Sequence, residues 1–145
     1  MGVLPTHKTP ARTDLADLTV LLYGAPKIGK STFCSQSDRA VFLATEAGLN
    51  HLETYQVPVA SWPELLDACA EIAAGEHNFR TVIIDTIDNA LQMCEHYVCE
   101  RQGIKHPSDL DFGKGYSLVT NEFTRVLIGS SRQRYWISVR TRGWR

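Results

Sequence analysis

Apolar residues along this chain gather into short dense runs separated by polar segments of roughly a dozen or more residues. The run at 18–23 (LTVLLY) is apolar at nearly every position, not at alternate ones. A strand facing solvent on one side alternates apolar and polar, so an uninterrupted run predicts a strand covered on both faces, as in a parallel sheet. The same signature returns at 40–44 (AVFLA) and 81–85 (TVIID), with a shorter extended piece at 55–59.

Between these runs the pattern becomes helical. A short helix is expected over 31–37. Ser61 and Glu64 form a capping box with Pro63 in the first turn, so a helix starts there and runs to Gly75. From Ile87, apolar residues at Leu91, Cys94 and Tyr97 or Val98 hold helical spacing to Gln102, and Gly103 ends it. A polar stretch with His106, Pro107, Asp109, Asp111, Gly113 and Gly115 precedes a last helix over 116–128. Strands alternating with helices predict an α/β fold, a parallel sheet flanked by helices with right-handed crossovers. Residues 1–16 lack periodicity and read as a flexible leader, 17–129 as the domain. Residues 130–145 read as a basic tail in which 135–139 can form a fourth strand. The change of composition there also fits a truncated or out-of-frame end, with the sheet left incomplete.

Composition adds bounds. At 145 residues with 43% hydrophobic and 21% charged residues, the chain matches a single globular domain. It has no apolar run of membrane-spanning length and no secretory signal pattern, which predicts a cytoplasmic protein without a membrane partner. Met1, Gly2 and Thr6 fit the loose myristoylation pattern only formally, with Pro5 against it. Four cysteines without a C-x-x-C pair read as reduced packing thiols, and Cys94, His96 and Cys99 point in different directions on a helix and cannot converge on one metal ion. The formal net charge is -1, yet Arg132, Arg134, Arg140, Arg142 and Arg145 crowd the end, leaving an acidic body. Nucleic-acid binding would therefore need a local basic groove or the tail itself, with Trp136 and Trp144 as stacking candidates.

The chemistry begins where the first strand ends. Gly24, Ala25, Pro26, Lys27, Ile28, Gly29, Lys30 and Ser31 match G-x-x-x-x-G-K-[ST] between a predicted strand and a predicted helix, the context this phosphate loop requires. Glycines let successive backbone N–H groups converge on phosphate oxygens, and the helix that follows adds its positive end. Lys30 is expected at the β- and γ-phosphates, Ser31 at Mg²⁺, and Thr32 at the α-phosphate. Asp85 closes an apolar strand whose carboxyl end faces the same crevice, which makes it the second Mg²⁺ candidate. Thr86 stands beside it, and Asp88 reads as a helix-start residue. Glu46 leaves the strand after the phosphate-loop helix, and from there a carboxylate can activate the water that attacks the γ-phosphate. ATP and Mg²⁺ are the ligands expected.

Taken in order, GAPKIGKSTF, VFLATEAGLNHL, VIIDTIDNALQMCEHYV and DFGKGYSLVTNEFTRVL resemble the phage-encoded AAA-type P-loop ATPases of RecA-like fold, over about residues 18–128. That group includes single-strand annealing and recombination proteins. The resemblance implies Glu46 as catalytic base, Asp85 as the Walker B acid, and single-stranded DNA as partner in phage recombination or repair. Related ATPases often place the site between subunits with an arginine from the neighbour, which implies a homo-oligomer. The chain departs from the group at its fourth strand, where a polar sensor residue is expected and Ser138 is the nearest candidate. Two other functions stay open: a nucleotide-binding fragment or switch that does not hydrolyse, and a small P-loop kinase with a basic lid. Guanine recognition is disfavoured, since neither D-x-x-G after the third strand nor N-K-x-D occurs.

Overall fold

The computed structural model describes residues 2–11, 18–129 and 136–140, the last five and residues 128 and 129 by their backbone. Five strands form one parallel sheet: β1 (Thr19–Tyr23), β2 (Ala40–Ala44), β3 (Tyr55–Pro58), β4 (Thr81–Asp85) and β5 (Trp136–Arg140), in spatial order β1-β5-β4-β2-β3. The helices are α1 (Lys30–Ser35), α2 (Trp62–Ala74), α3 (Ile87–Gln102) and α4 (Lys114–Gly129). The fold is therefore the expected α/β architecture, a parallel sheet flanked by helices.

The dense apolar runs are explained by two separate cores. Val41 and Leu43 of β2 with Val82 and Ile84 of β4 face α2, α3 and α4. Phe42, Ala44 and Ile83, the residues between them, face the other way, onto Cys34 of α1 and Leu49. Successive side chains of a strand point to opposite faces, so covering both faces demands apolar residues at every position.

The first strand departs from this expectation. Its apolar run predicted burial on both faces, yet exposure alternates along β1, and Leu21 and Tyr23 are 56% and 71% exposed. The reason is position: among the described residues β1 is one of the two edge strands, paired only with β5. The inserted β5, at the segment expected over 135–139, separates the phosphate-loop strand from the Asp85 strand.

Helix α2 starts at the expected Ser61, whose Oγ accepts from Glu64 N, but the reciprocal half of the capping box is shifted by one residue, with Glu64 Oε2 accepting from Ala60 N in place of Ser61 N; Gly75 closes the helix in the left-handed conformation. Helix α4 starts two residues before the expected 116, preceded by two short 3-10 turns, Pro107–Asp109 and Asp111–Gly113. Gly115 explains the close approach, because a Cβ there would collide with the Pro107 carbonyl.

Trp62 joins α2 to α4. It is 1% exposed, stacks on Phe123 with ring centroids 5.7 Å apart, and donates from Nε1 to Glu122 Oε1 at 3.0 Å. Arg125 grips the same carboxylate through two nitrogens and, as the largest influence, holds it below the ordinary glutamate range. Trp62→Ala should cost about 3–5 kcal/mol in urea unfolding, a large share of the roughly 5–15 kcal/mol of a typical domain. A loss below about 1 kcal/mol would contradict this packing.

Candidate functional site

Parallel pairing brings the carboxyl ends of all five strands to one rim. Tyr23 is in register with Arg140, Asp85 with Val139 and Ala44, and Ala44 with Pro58. What leaves the sheet at that rim is therefore brought together: the phosphate loop after β1, Glu46 after β2 and Thr86 after β4.

Residues 24–29 curl between β1 and α1 with Lys27 at φ 61° and Gly29 at φ 97°. Left-handed residues within such a curl turn neighbouring N–H groups toward one concavity, which suits an anion. The conformation at Gly29 strains any side chain, so glycine is required there. Helix α1 is only six residues long, so its dipole adds less than expected and the loop amides carry the larger part.

Lys30 opens α1 and is 7% exposed. Its Nζ donates to the carbonyls of Gly24 at 2.8 Å and Ala25 at 2.6 Å. An ammonium has three N–H donors, so these two bonds hold the lysine across the loop and leave one for a ligand.

Ser31 Oγ donates to Asp85 Oδ2 at 2.6 Å. Asp85 is 4% exposed, and burial pushes its carboxyl above the ordinary aspartate range, with the Ser31 hydrogen bond and the Lys30 charge opposing. The same burial, reinforced by the Asp85 charge, pushes the Cys34 thiol up to about 12, so it packs as an unreactive group. A group whose folded pKa lies above its unfolded value contributes stability at low pH, lost as pH rises through the folded pKa. At neutral pH the buried carboxylate therefore costs stability. Asp85→Asn, which keeps an acceptor for Ser31, should raise the melting temperature of the ligand-free protein at neutral pH by roughly 2–4 °C, about 1 kcal/mol. The gain should shrink as pH drops into the carboxylate range. A lower melting temperature at neutral pH would show that the ionised form is net stabilising.

A stitch that no motif announces fixes Glu46 relative to Asp85. Thr45 N donates to Asp85 O at 2.8 Å, Thr86 N donates to Thr45 Oγ1 at 2.8 Å, and Thr45 Oγ1 donates to Thr86 O at 3.1 Å. These bonds lock the end of β2 to that of β4, where the Asp85–Thr86 peptide is cis. Glu46 is exposed and accepts from Asn89 Nδ2 of α3 at 3.2 Å. Asp88 takes its place in the first turn of α3, as expected.

One cleft of about 380 Å³ gathers the candidates. Pro26, Lys27, Gly29, Lys30, Ser31 and Thr32 line it from the loop and α1, Asp85 from β4, and Glu46, Gly48 and His51 from the segment after β2. Its volume lies within the usual range for small-molecule sites. Gly24, Ala25 and Ile28 complete the loop without lining it. Thr45, Asn89 and His51 were not foreseen. Position after a strand end was the available signal for Thr45, and His51 had none beyond its nearness to Glu46. Arg132, Arg134, Arg142, Arg145 and Trp144 lie outside the described residues, and Ser138 and Arg140 belong to β5.

Ser31 and Asp85 offer hard oxygen donors within hydrogen-bond distance of each other, the chemistry a small divalent cation takes alongside phosphate oxygens. Among the described residues no cluster of three or more His, Cys, Asp or Glu stands ready to hold a metal, and no helix is long and apolar enough to cross a membrane.

Comparison with known proteins gives the chain a family. A family model described as an AAA domain matches residues 16–132. The chain is 24% identical over 101 residues to YorG, an SPbeta prophage-derived uncharacterized protein of Bacillus subtilis, an alignment covering 66% of this chain and 31% of that protein. The chain thus spans about a third of that relative's length. No solved structure matches the chain.

Proposed function

We propose that this chain, which belongs to the AAA domain family of nucleotide-binding ATPases, binds ATP with Mg²⁺ at the cleft below the phosphate loop and hydrolyses it. The observation that carries the reading is the meeting, in one cleft, of the amide-lined loop, Lys30, the Ser31–Asp85 pair and Glu46. The loop N–H groups between 24 and 31, Pro26 excepted, cradle the phosphates, Lys30 adds charge at the β- and γ-phosphates, and Thr32 serves the α-phosphate. Ser31 and Asp85 hold Mg²⁺, which when bound offsets the charge that builds on the phosphoryl oxygens.

Glu46 supplies the remaining function. It lines the same cleft as the loop, and its carboxylate, oriented by Asn89, takes a proton from the attacking water. Hydrolysis is favoured over transfer to a small acceptor because an ionisable carboxylate, the group that activates water, stands in that lining.

Coupling to single-stranded DNA in phage recombination or repair is the finer part of the proposal. It draws support from the resemblance of the four ordered segments and from the prophage origin of the relative. The test is phosphate release measured with and without single-stranded DNA. Stimulation of several fold supports the coupling, and an unchanged rate removes it while leaving the ATPase reading in place.

A further inference from the structure

The segment after β2, which lines the cleft together with the phosphate loop, holds a group with no role so far. His51 lies on the segment after β2, and its position is set by a turn in which Leu52 N donates to Leu49 O at 3.0 Å. Leu49 is 2% exposed and belongs to the core cluster of Cys34, Phe42, Ala44 and Ile83, with Leu52 packed against it. Because Cys34 sits in α1, this turn is packed against the helix that Lys30 opens. His51 is itself exposed, and the packed turn that carries it lines the same cleft as the loop.

The two residues between the leucine anchors part ways. Asn50 lines a neighbouring cavity of about 500 Å³, also bounded by Glu46, whereas His51 lines the phosphate cleft. Within the part of the lining made by Glu46, Gly48 and His51, the imidazole is the side chain with an N–H to give. A carboxylate facing a polyphosphate is repulsive, and a donor beside Glu46 offsets that repulsion. On the reading above Glu46 acts at the terminal phosphoryl group, so a donor on the same lining segment is matched to that group rather than to the inner phosphates, which the loop amides engage.

Resting on the ATP-binding reading above, we infer that His51 hydrogen-bonds the terminal phosphoryl group and so makes this site distinguish a nucleoside triphosphate from a diphosphate. The test is equilibrium binding of ADP and of the non-hydrolysable analogue AMPPNP, each with Mg²⁺, to the full chain as wild type, His51→Ala and His51→Gln.

For His51→Ala the AMPPNP affinity should fall about tenfold, the size of one hydrogen bond to a charged group, while ADP affinity changes less than about twofold. His51→Gln, which keeps an N–H donor, should recover most of the loss. A purely structural role of the turn would weaken both nucleotides alike, and that result, or no change in either, overturns the inference. Wild type that binds neither nucleotide would overturn the underlying reading as well, so the two failures are told apart by the wild-type arm.

Discussion

Lys30→Ala is expected to lower Mg-ATP affinity by at least about a hundredfold, as loss of a buried charge-assisted contact to phosphate implies. The ammonium is 7% exposed and tied to two loop carbonyls. Its removal takes away the positive charge and also releases Gly24 O and Ala25 O, which then face an anionic ligand without a lysine between. The geometry of the loop and the charge of the site are lost together. Lys30→Arg separates them: it keeps the charge but cannot place a planar guanidinium where a compact ammonium bridges two carbonyls. That variant should recover only part of the affinity. Circular dichroism checks that each variant is folded, and fluorescence titration with a labelled nucleotide measures the loss. Wild-type affinity in Lys30→Ala would mean that the nucleotide, if bound at all, sits elsewhere.

For Glu46→Gln the expected change lies in turnover, with phosphate release falling about 10²–10⁴-fold, the usual worth of a general base. Nucleotide affinity should stay within a few fold, because the loop, Lys30 and the Ser31–Asp85 pair are untouched and the glutamine removes a negative charge from the cleft lining. Asn89 can still hydrogen-bond the amide oxygen, so the side chain keeps its orientation. A single-turnover experiment with excess enzyme separates binding from chemistry. Hydrolysis at the wild-type rate would remove Glu46 as base and leave a site in which water is activated by another group.

The parts of this site that could be read from the amino-acid sequence are those whose chemistry is local. The phosphate loop needs a glycine at the left-handed position 29 and a lysine at the next, and such requirements leave a spaced pattern. Strands β2 and β4 were legible because burial on both faces demands an unbroken apolar run, as AVFLA and TVIID have. The similar run in β1 misled, since edge or interior position depends on which strand pairs where, a non-local choice. The seat of β5 between β1 and β4 was hidden for the same reason, under an arginine-rich composition. Helix α4 began early because glycines at 113 and 115 look like a loop until the packing of Gly115 on Pro107 is seen. The Thr45 stitch and the packed turn that carries His51 depend on partners about forty residues away or on one buried and one half-buried leucine, which no short motif encodes.

On the function proposed above, the loop at 24–31 grips a Mg-bound triphosphate. Isothermal titration of the folded wild-type chain with AMPPNP, run with Mg²⁺ and again with EDTA, tests it most directly. One nucleotide should bind per chain, with affinity that drops by at least about tenfold when the cation is withheld. No heat of binding from correctly folded protein, or binding indifferent both to Mg²⁺ and to Lys30→Ala, would contradict it.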